Sequence, residues 1–376
     1  MAGVVSVERI DITLTGGTAT GASDLSKGQD ESKCVPFATF QHNATSNANS
    51  DDYTGNQAEV EIYDNAGTAA VRITRTGTGD PLVYTIYVVE YGSDVNVQRG
   101  TVNSVTGTGT TVTGLTAVTM AKAFVLFYYQ HSGGDADAHD SAAVSSQLAS
   151  TTTIDLTRSS SADGDFSGWW YVVEDTASNW DVQRGTVQLG TAATSANSSA
   201  FTAVTMAKTF VIASQRNNQA DDDVGSGSCH VDLNATTTVR ARRTQSTATI
   251  DVEFQVVEFD SGGAENVYRG DLSFGTGDTQ LTASHTTVSS TFSMAWSPQR
   301  QHRSGSGTGG GSSDNSASAH KIIINGTNNG IIADRNNFGA DASTSNWETI
   351  EWEEAGAGGG TPLAVFRQHY RMMQNR

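Results

Sequence analysis

Apolar and polar residues alternate with a period of two along most of the chain, in short runs bounded by Gly, Thr, Ser, Asn and Asp. That is the pattern of short β-strands joined by polar turns. The run YTIYVVEY (Tyr84–Tyr91) is apolar on both faces, which predicts a strand covered on both sides. It recurs as WWYVVED (Trp169–Asp175), EFQVVEF (Glu253–Phe259) and a degenerate WETIEWEE (Trp347–Glu354). Ile86, Trp170 and Phe254 share one face with Val88, Val172 and Val256, and these are assigned to a domain core. The opposite face carries Tyr87, Tyr171 and Gln255, then Val89, Val173 and Val257. It packs on a neighbouring unit or forms a subunit contact.

Other landmarks recur in the same order. NVQRGTV (Asn96–Val102), DVQRGTV (Asp181–Val187) and NVYRGDL (Asn266–Leu272) place Arg99, Arg184 and Arg269 at intervals of 85 residues. A fainter SVERIDI puts Arg9 ninety residues before Arg99. LTAVTMAKAFVLF (Leu115–Phe127) matches FTAVTMAKTFVIA (Phe201–Ala213), and a strand ending in Arg75, Arg158, Arg243 or Arg335 appears in every unit. The predicted fold is all-β: four tandem antiparallel β-sandwich repeats of about 85 residues, each of five to seven short strands. They span 1–91, 92–175, 176–259 and a divergent 260–354, followed by a Gly-rich linker and basic, apolar tail over 355–376.

The charge balance excludes one class of partner. With 22 Lys and Arg against 40 Asp and Glu, the net charge is −18, and broad capture of nucleic-acid phosphates is not expected. No apolar run approaches the about 20 residues that cross a bilayer, so no membrane partner is expected either. The opening MAGVVSVERIDITL lacks a basic segment followed by an apolar one, so no secretory signal is expected. Cys34 and Cys229 fall in different repeats and read as two isolated, partly buried thiols.

Within NVYRGDL the tripeptide Arg269-Gly270-Asp271 looks like a cell-attachment signal. Its siblings carry Thr101 and Thr186 in place of the aspartate, so it reads as one substitution in a repeated strand. The recurring pairs Glu90/Arg99, Glu174/Arg184 and Glu258/Arg269 resemble an acid with an electrostatic partner. Recurrence in tandem units favours structure instead: a partly exposed strand-end ion pair of small value, or a repeated inter-domain contact. The separation within the pair grows from nine to ten to eleven residues, which places length variation in an exposed connector.

Candidate binding chemistry lies in the loops that follow the FVLF-type strand. QHNATSNANSDDYTG carries Asp51 and Asp52, QHSGGDADAHDSA carries Asp135, Asp137 and Asp140, and QRNNQADDDVGSG carries Asp221, Asp222 and Asp223. Carboxylates of this kind suit a calcium ion, although the Gly and distal Glu of an EF-hand loop are missing. His131 and His139 suit a transition metal instead, and a solvated acidic loop is the simpler reading of all three. No cofactor is otherwise expected. No nucleophile elbow, zinc helix, P-loop or dinucleotide fingerprint occurs, so no enzyme is expected. In LAVFRQHYRMMQNR (Leu363–Arg376), Phe366, Arg367, Tyr370 and Arg371 form a candidate anchor to another subunit or partner.

At VQRGTV…LTAVTMAKxFV…VVEF the chain resembles repeat proteins among the structural gene products of tailed bacteriophages, where small Thr/Gly/Ser-rich sandwiches build tails, fibres and head decorations. It is loosely similar to the H-type lectin sandwich, which associates as trimers and binds sugars at its loops. The resemblance implies a virion structural protein, assembled in the host cytoplasm with other virion proteins and as a homo-oligomer, a trimer being favoured. The alternative is a receptor or host-glycan module that uses the acidic loop tips with Trp169, Trp170 and Trp180 nearby.

Overall fold

The computed structural model describes residues 3–42, 57–76, 81–132, 143–159, 161, 164–217, 227–243, 246, 248–260, 265–275, 277–298, 320–335 and 343–352. Its first six strands are β1 (Val4–Leu14), β2 (Thr20–Asp24), β3 (Cys34–His42), β4 (Glu59–Asn65), β5 (Thr68–Thr74) and β6 (Leu82–Tyr91). They form two three-stranded antiparallel sheets, ordered β1-β6-β3 and β2-β5-β4. Because Leu82 at the start of β6 lies opposite both Leu14 and His42, the turn after β1, the connection after β3 and the one before β6 share one end of the unit.

The arrangement repeats three times. Unit 2 comprises β7 (Val95–Val105), β8 (Gly109–Thr113), β9 (Ala123–His131), β10 (Ser145–Ser150), β11 (Thr153–Thr157) and β12 (Phe166–Asp175). Unit 3 comprises β13 (Trp180–Leu189), β14 (Ser195–Asn197), β15 (Thr209–Asn217), β16 (His230–Ala235), β17 (Thr238–Arg242) and β18 (Ile250–Phe259). Unit 4 comprises β19 (Asn266–Phe274), β20 (Gln280–Ser284), β21 (Ser293–Trp296), β22 (Lys321–Ile324), β23 (Gly330–Asp334) and β24 (Ser343–Glu351). In each, the sixth strand is central to one sheet and the fifth to the other. The period-2 pattern thus produced an all-β chain of paired small sheets, as expected.

The sixth strands are covered on both faces, and the two faces do different things. One face closes the interior of its own sandwich: Val172 packs with Leu148, Ile154 and Phe166 in unit 2, and Phe254 and Val256 pack with Val231, Leu233 and Val239 in unit 3. The other face, with Tyr87, Val89, Tyr171, Val173 and Val257, enters a shared core that draws on all four units. Of the two roles open to that face, it takes the inter-unit one, within a single chain. Phe37, Phe124, Phe210 and Trp296 meet there, one from each unit, with neighbouring ring centroids 5.2–6.5 Å apart. Such tilted and edge-on aromatic contacts add to the burial of the rings themselves.

Tyr91 and Phe259 end their sixth strands and Trp352 follows directly on β24, and the three pack at one end of this core. Unit 2 has Asp175 at the corresponding place. Its carboxylate accepts from the backbone N–H groups of Ala177, Asn179 and Trp180. The tight turn so formed delivers Trp180 to the core, 6.0 Å from both Tyr91 and Phe124.

Candidate functional site at the seams between units

The four buried arginines that directly follow the fifth strands hold each sandwich's first turn. Arg75, Arg158, Arg243 and Arg335 are 1–4% exposed. Arg75 donates to the carbonyls of Thr15 and Thr18, Arg158 to Val105, Gly107 and Gly164, Arg243 to Gly190 and Ala193, and Arg335 to Gly275 and Asp278. A guanidinium suits this task because its fixed fork of donors serves several carbonyls at once.

The recurring glutamates and arginines bind different things, not each other as a strand-end ion pair. Each glutamate accepts a backbone N–H at the turn before its own unit's third strand: Glu90 from Asp30, Glu174 from Thr119 and Glu258 from Thr205. Glu351 does the same for Ser289 in unit 4, a member of the series that the degenerate WETIEWEE run concealed. Each arginine reaches the same turn of the preceding unit. Arg99 donates to the carbonyl of Glu31 and pairs with its carboxylate at 2.7 Å. Arg184 donates to the carbonyls of Met120 and Ala123, and Arg269 to that of Thr209. Burial pushes Arg184 down to about 10 and lowers Arg269 as well. In unit 1, Arg9 pairs instead with Asp11 in its own strand, at 2.9 Å.

The glycine after Arg99, Arg184 and Arg269 is required by packing. A Cβ at Gly100 would stand 2.6 Å from the Trp170 ring, and one at Gly185 2.6 Å from Phe254. Gly270 lies under Trp347 in the same way. Arg269-Gly270-Asp271 therefore runs through the middle of β19, with Gly270 beneath an aromatic ring and both charged side chains turned to unit 3. Asp271 pairs with Arg242 at 2.6 Å and accepts from Asn346.

Edge strands of the sandwiches expose unpaired backbone groups, and side chains of the following unit cap them. At the seam between units 1 and 2, the Tyr128 hydroxyl donates to Pro36 and accepts from Ala38, while that of Tyr171 donates to Val60 and accepts from Ile62. Between units 2 and 3, the Gln255 amide spans the N–H and carbonyl of Val125, and the Ser214 hydroxyl does so for Ser146. Unit 4 meets unit 1 through Thr39 and Tyr87, which accept from the N–H groups of Ile322 and Ile324. This contact closes the four units into a ring. Burial raises the Tyr87 hydroxyl to about 12 and that of Tyr171 further, so both stay protonated and able to donate.

The seam between units 3 and 4 departs from this scheme. Pro298 and Glu348 stand where the other seams have Thr39, Tyr128 or Ser214 and Tyr87, Tyr171 or Gln255. Glu348 accepts from Val211 N–H and faces Arg269 at 3.5 Å. Burial raises its carboxyl to about 7 against the pull of Arg269. A cleft of about 320 Å³ opens beside it, along β16.

The loop candidates Asp51, Asp52, Asp135, Asp137, Asp140, Asp221, Asp222 and Asp223, with His139, lie outside the described residues, as do Phe366, Arg367, Tyr370 and Arg371. Among the described residues no group of three His, Cys, Asp or Glu is placed to hold a metal ion. His131 is fully buried between Tyr129 and Phe166. Trp180 is 2% exposed in the shared core and Trp170 covers Gly100, so neither is presented at a loop tip. Cys34 and Cys229 are fully buried thiols that form no disulfide, more deeply placed than the partial burial expected.

These features define a class: an all-β protein of tandem sandwich repeats that close on one another around a common aromatic core. No protein-family model matches the chain, and no curated protein matches it.

Proposed function

We propose that the chain is a non-enzymatic structural component of a tailed-phage particle, a rigid ring of sandwiches placed on a tail, fibre or head. The observation that carries this reading is the use made of the recurring polar residues. The Glu90, Glu174 and Glu258 series and the Arg99, Arg184 and Arg269 series are spent on holding turns and seams, and the apolar sheet faces on a core internal to the chain. That is the economy of a scaffold rather than of a catalyst, whose acids converge in a cleft. The resemblance in VQRGTV and LTAVTMAKxFV supplies the phage context.

With one face of each sixth-strand sheet used inside the chain, contacts with other virion proteins and with further copies fall to the outward sheet faces, the loop ends and the C-terminal segment. Val5 is the exposed large apolar side chain among the described residues, too small a patch to seat a subunit.

Antibody labelling of purified phage particles from the producing host, imaged by electron microscopy, tests the proposal. Label at one regular position on the particle is the expected result. Absence from particles, with the chain recovered as an isolated monomer that turns over a glycoside, overturns it.

A further inference from the structure

We infer that the seam between units 3 and 4 is a binding site for a neutral saccharide, one sugar ring in size. The inference rests on what three seams have and this one lacks. The outward edge of the fourth strand is met by the hydroxyls of Tyr171 on β4, Ser214 on β10, and Thr39 with Tyr87 on β22. On β16 the corresponding positions are Val231 and Leu233, and both line the cleft. Pro298 has no hydroxyl to offer them, and Glu348 is turned to Val211 on the neighbouring edge.

The remaining walls ask for the same chemistry. Asn346 is 3% exposed, and its Oδ1 has no hydrogen-bond partner among the described residues. It requires a donor, and a hydroxyl supplies one while also accepting, as the Tyr128, Tyr171 and Ser214 hydroxyls do at the other seams. With Glu348 ionised, above about pH 7, the charges around the cleft balance: Arg240 pairs with Asp232 at 2.9 Å, Arg242 with Asp271 at 2.6 Å, and Arg269 with Glu348 at 3.5 Å. A balanced site disfavours both anions and cations and selects a neutral ligand with many hydroxyls. The volume of about 320 Å³ is at the small end of ligand pockets and fits a single ring better than a chain of them.

Calorimetric titration of the full chain with D-glucose, D-galactose, D-mannose, L-rhamnose and N-acetyl-D-glucosamine, each as a separate probe, tests the inference. Saturable binding of at least one sugar, one per chain, is expected. Arg240→Ala, at the rim of the cleft, weakens it by about tenfold, the loss of one charge-assisted hydrogen bond. Glu348→Tyr, which installs the residue found at Tyr87 and Tyr171, fills the cleft, caps β16 from within and abolishes binding while the chain still melts cooperatively. Should that variant fail to fold, Arg240→Ala decides alone. Failure of all five sugars to bind at millimolar concentration overturns the inference. So does binding that Arg240→Ala leaves unchanged, which places the sugar elsewhere. Neither outcome bears on where the chain sits in a particle.

Discussion

Arg242 in unit 3 and Asp271 in unit 4 meet at 2.6 Å across the seam, and Arg242 also reaches Asp232 in its own unit at 3.3 Å. The aspartate of the Arg-Gly-Asp tripeptide is thus half of an inter-unit ion pair. Asp271→Thr restores the sibling sequence but removes the pair. Both partners are partly exposed, so the expected loss is small, about 0.5–1 kcal/mol, seen as a slight fall in melting temperature. Binding to host cells stays unchanged. An adhesion assay in which the substitution abolished attachment would show the tripeptide to be a ligand after all.

Glu348 makes stability depend on pH. Its carboxyl ionises near 4.5 in the unfolded chain and at about 7 in the folded one. Between those values the folded state holds a proton that the unfolded state has released, so stability falls as pH rises through the window and levels off above it. Glu348→Gln removes this dependence. The difference in unfolding free energy between variant and wild type should shift in favour of the variant by on the order of 3 kcal/mol between pH 4 and 8. Urea titrations at several pH values measure it, and a flat difference would mean that the carboxyl is not buried as described.

Arg158 is 1% exposed and serves three carbonyls. Arg158→Met fills similar space and leaves those carbonyls without their donor. A cost of about 3 kcal/mol is expected, concentrated in unit 2. Hydrogen exchange at residues 105–109 and 158 should quicken, while units 1, 3 and 4 keep their protection.

Gly185→Ala places a methyl against the Phe254 ring, where the nearest ring atom is 2.6 Å away. Overpacking of this kind costs about 1–3 kcal/mol. Trimming the ring with Phe254→Leu relieves it, so the double variant is more stable than the sum of the two single losses predicts. Additive losses would show that the glycine serves some other purpose.

Cys34 lies in the shared core, and burial pushes its thiol well above the ordinary range. Cys229 is likewise fully buried. Neither should react with a thiol-specific chromogen until denaturant is added, and both should then appear together. Rapid labelling of the native protein would contradict the burial.

The register of the fold was legible because it is written several times over. The arginine spacing of 85 and the two-sided pattern of Tyr84–Tyr91 located the central strands and the face that packs between units. The partners across the seams were not legible. Tyr87 meets Ile324, and the two are separated by 237 residues. No local pattern links them, and only closure of the ring brings them together. Glu90 and Arg99 looked paired because they recur together. Yet the separation between such partners grew from nine to eleven residues across the units, already a sign that they do not grip each other. Tyr171 looked like an apolar position on a strand and nothing marked Tyr128, and their hydroxyls act only because an edge of the preceding unit lies within reach. Glu348 was hidden by divergence: WETIEWEE has drifted enough that its glutamate could not be recognised as standing in a tyrosine position.

The ends of the described chain converge on one place. The N–H of Gly92 donates to the carbonyl of Gly3 at 2.9 Å, and the Trp352 ring packs on that of Tyr91 at 5.7 Å. Three seams are backed by covalent connection, whereas the fourth, between unit 4 and unit 1, is held by contacts alone. A mechanical load applied across residues 3 and 352 is therefore borne first by that clasp. Parting it does not by itself free the ring, because the aromatic core shared by all four units and the remaining seams must open before the chain can lengthen into a string of sandwiches.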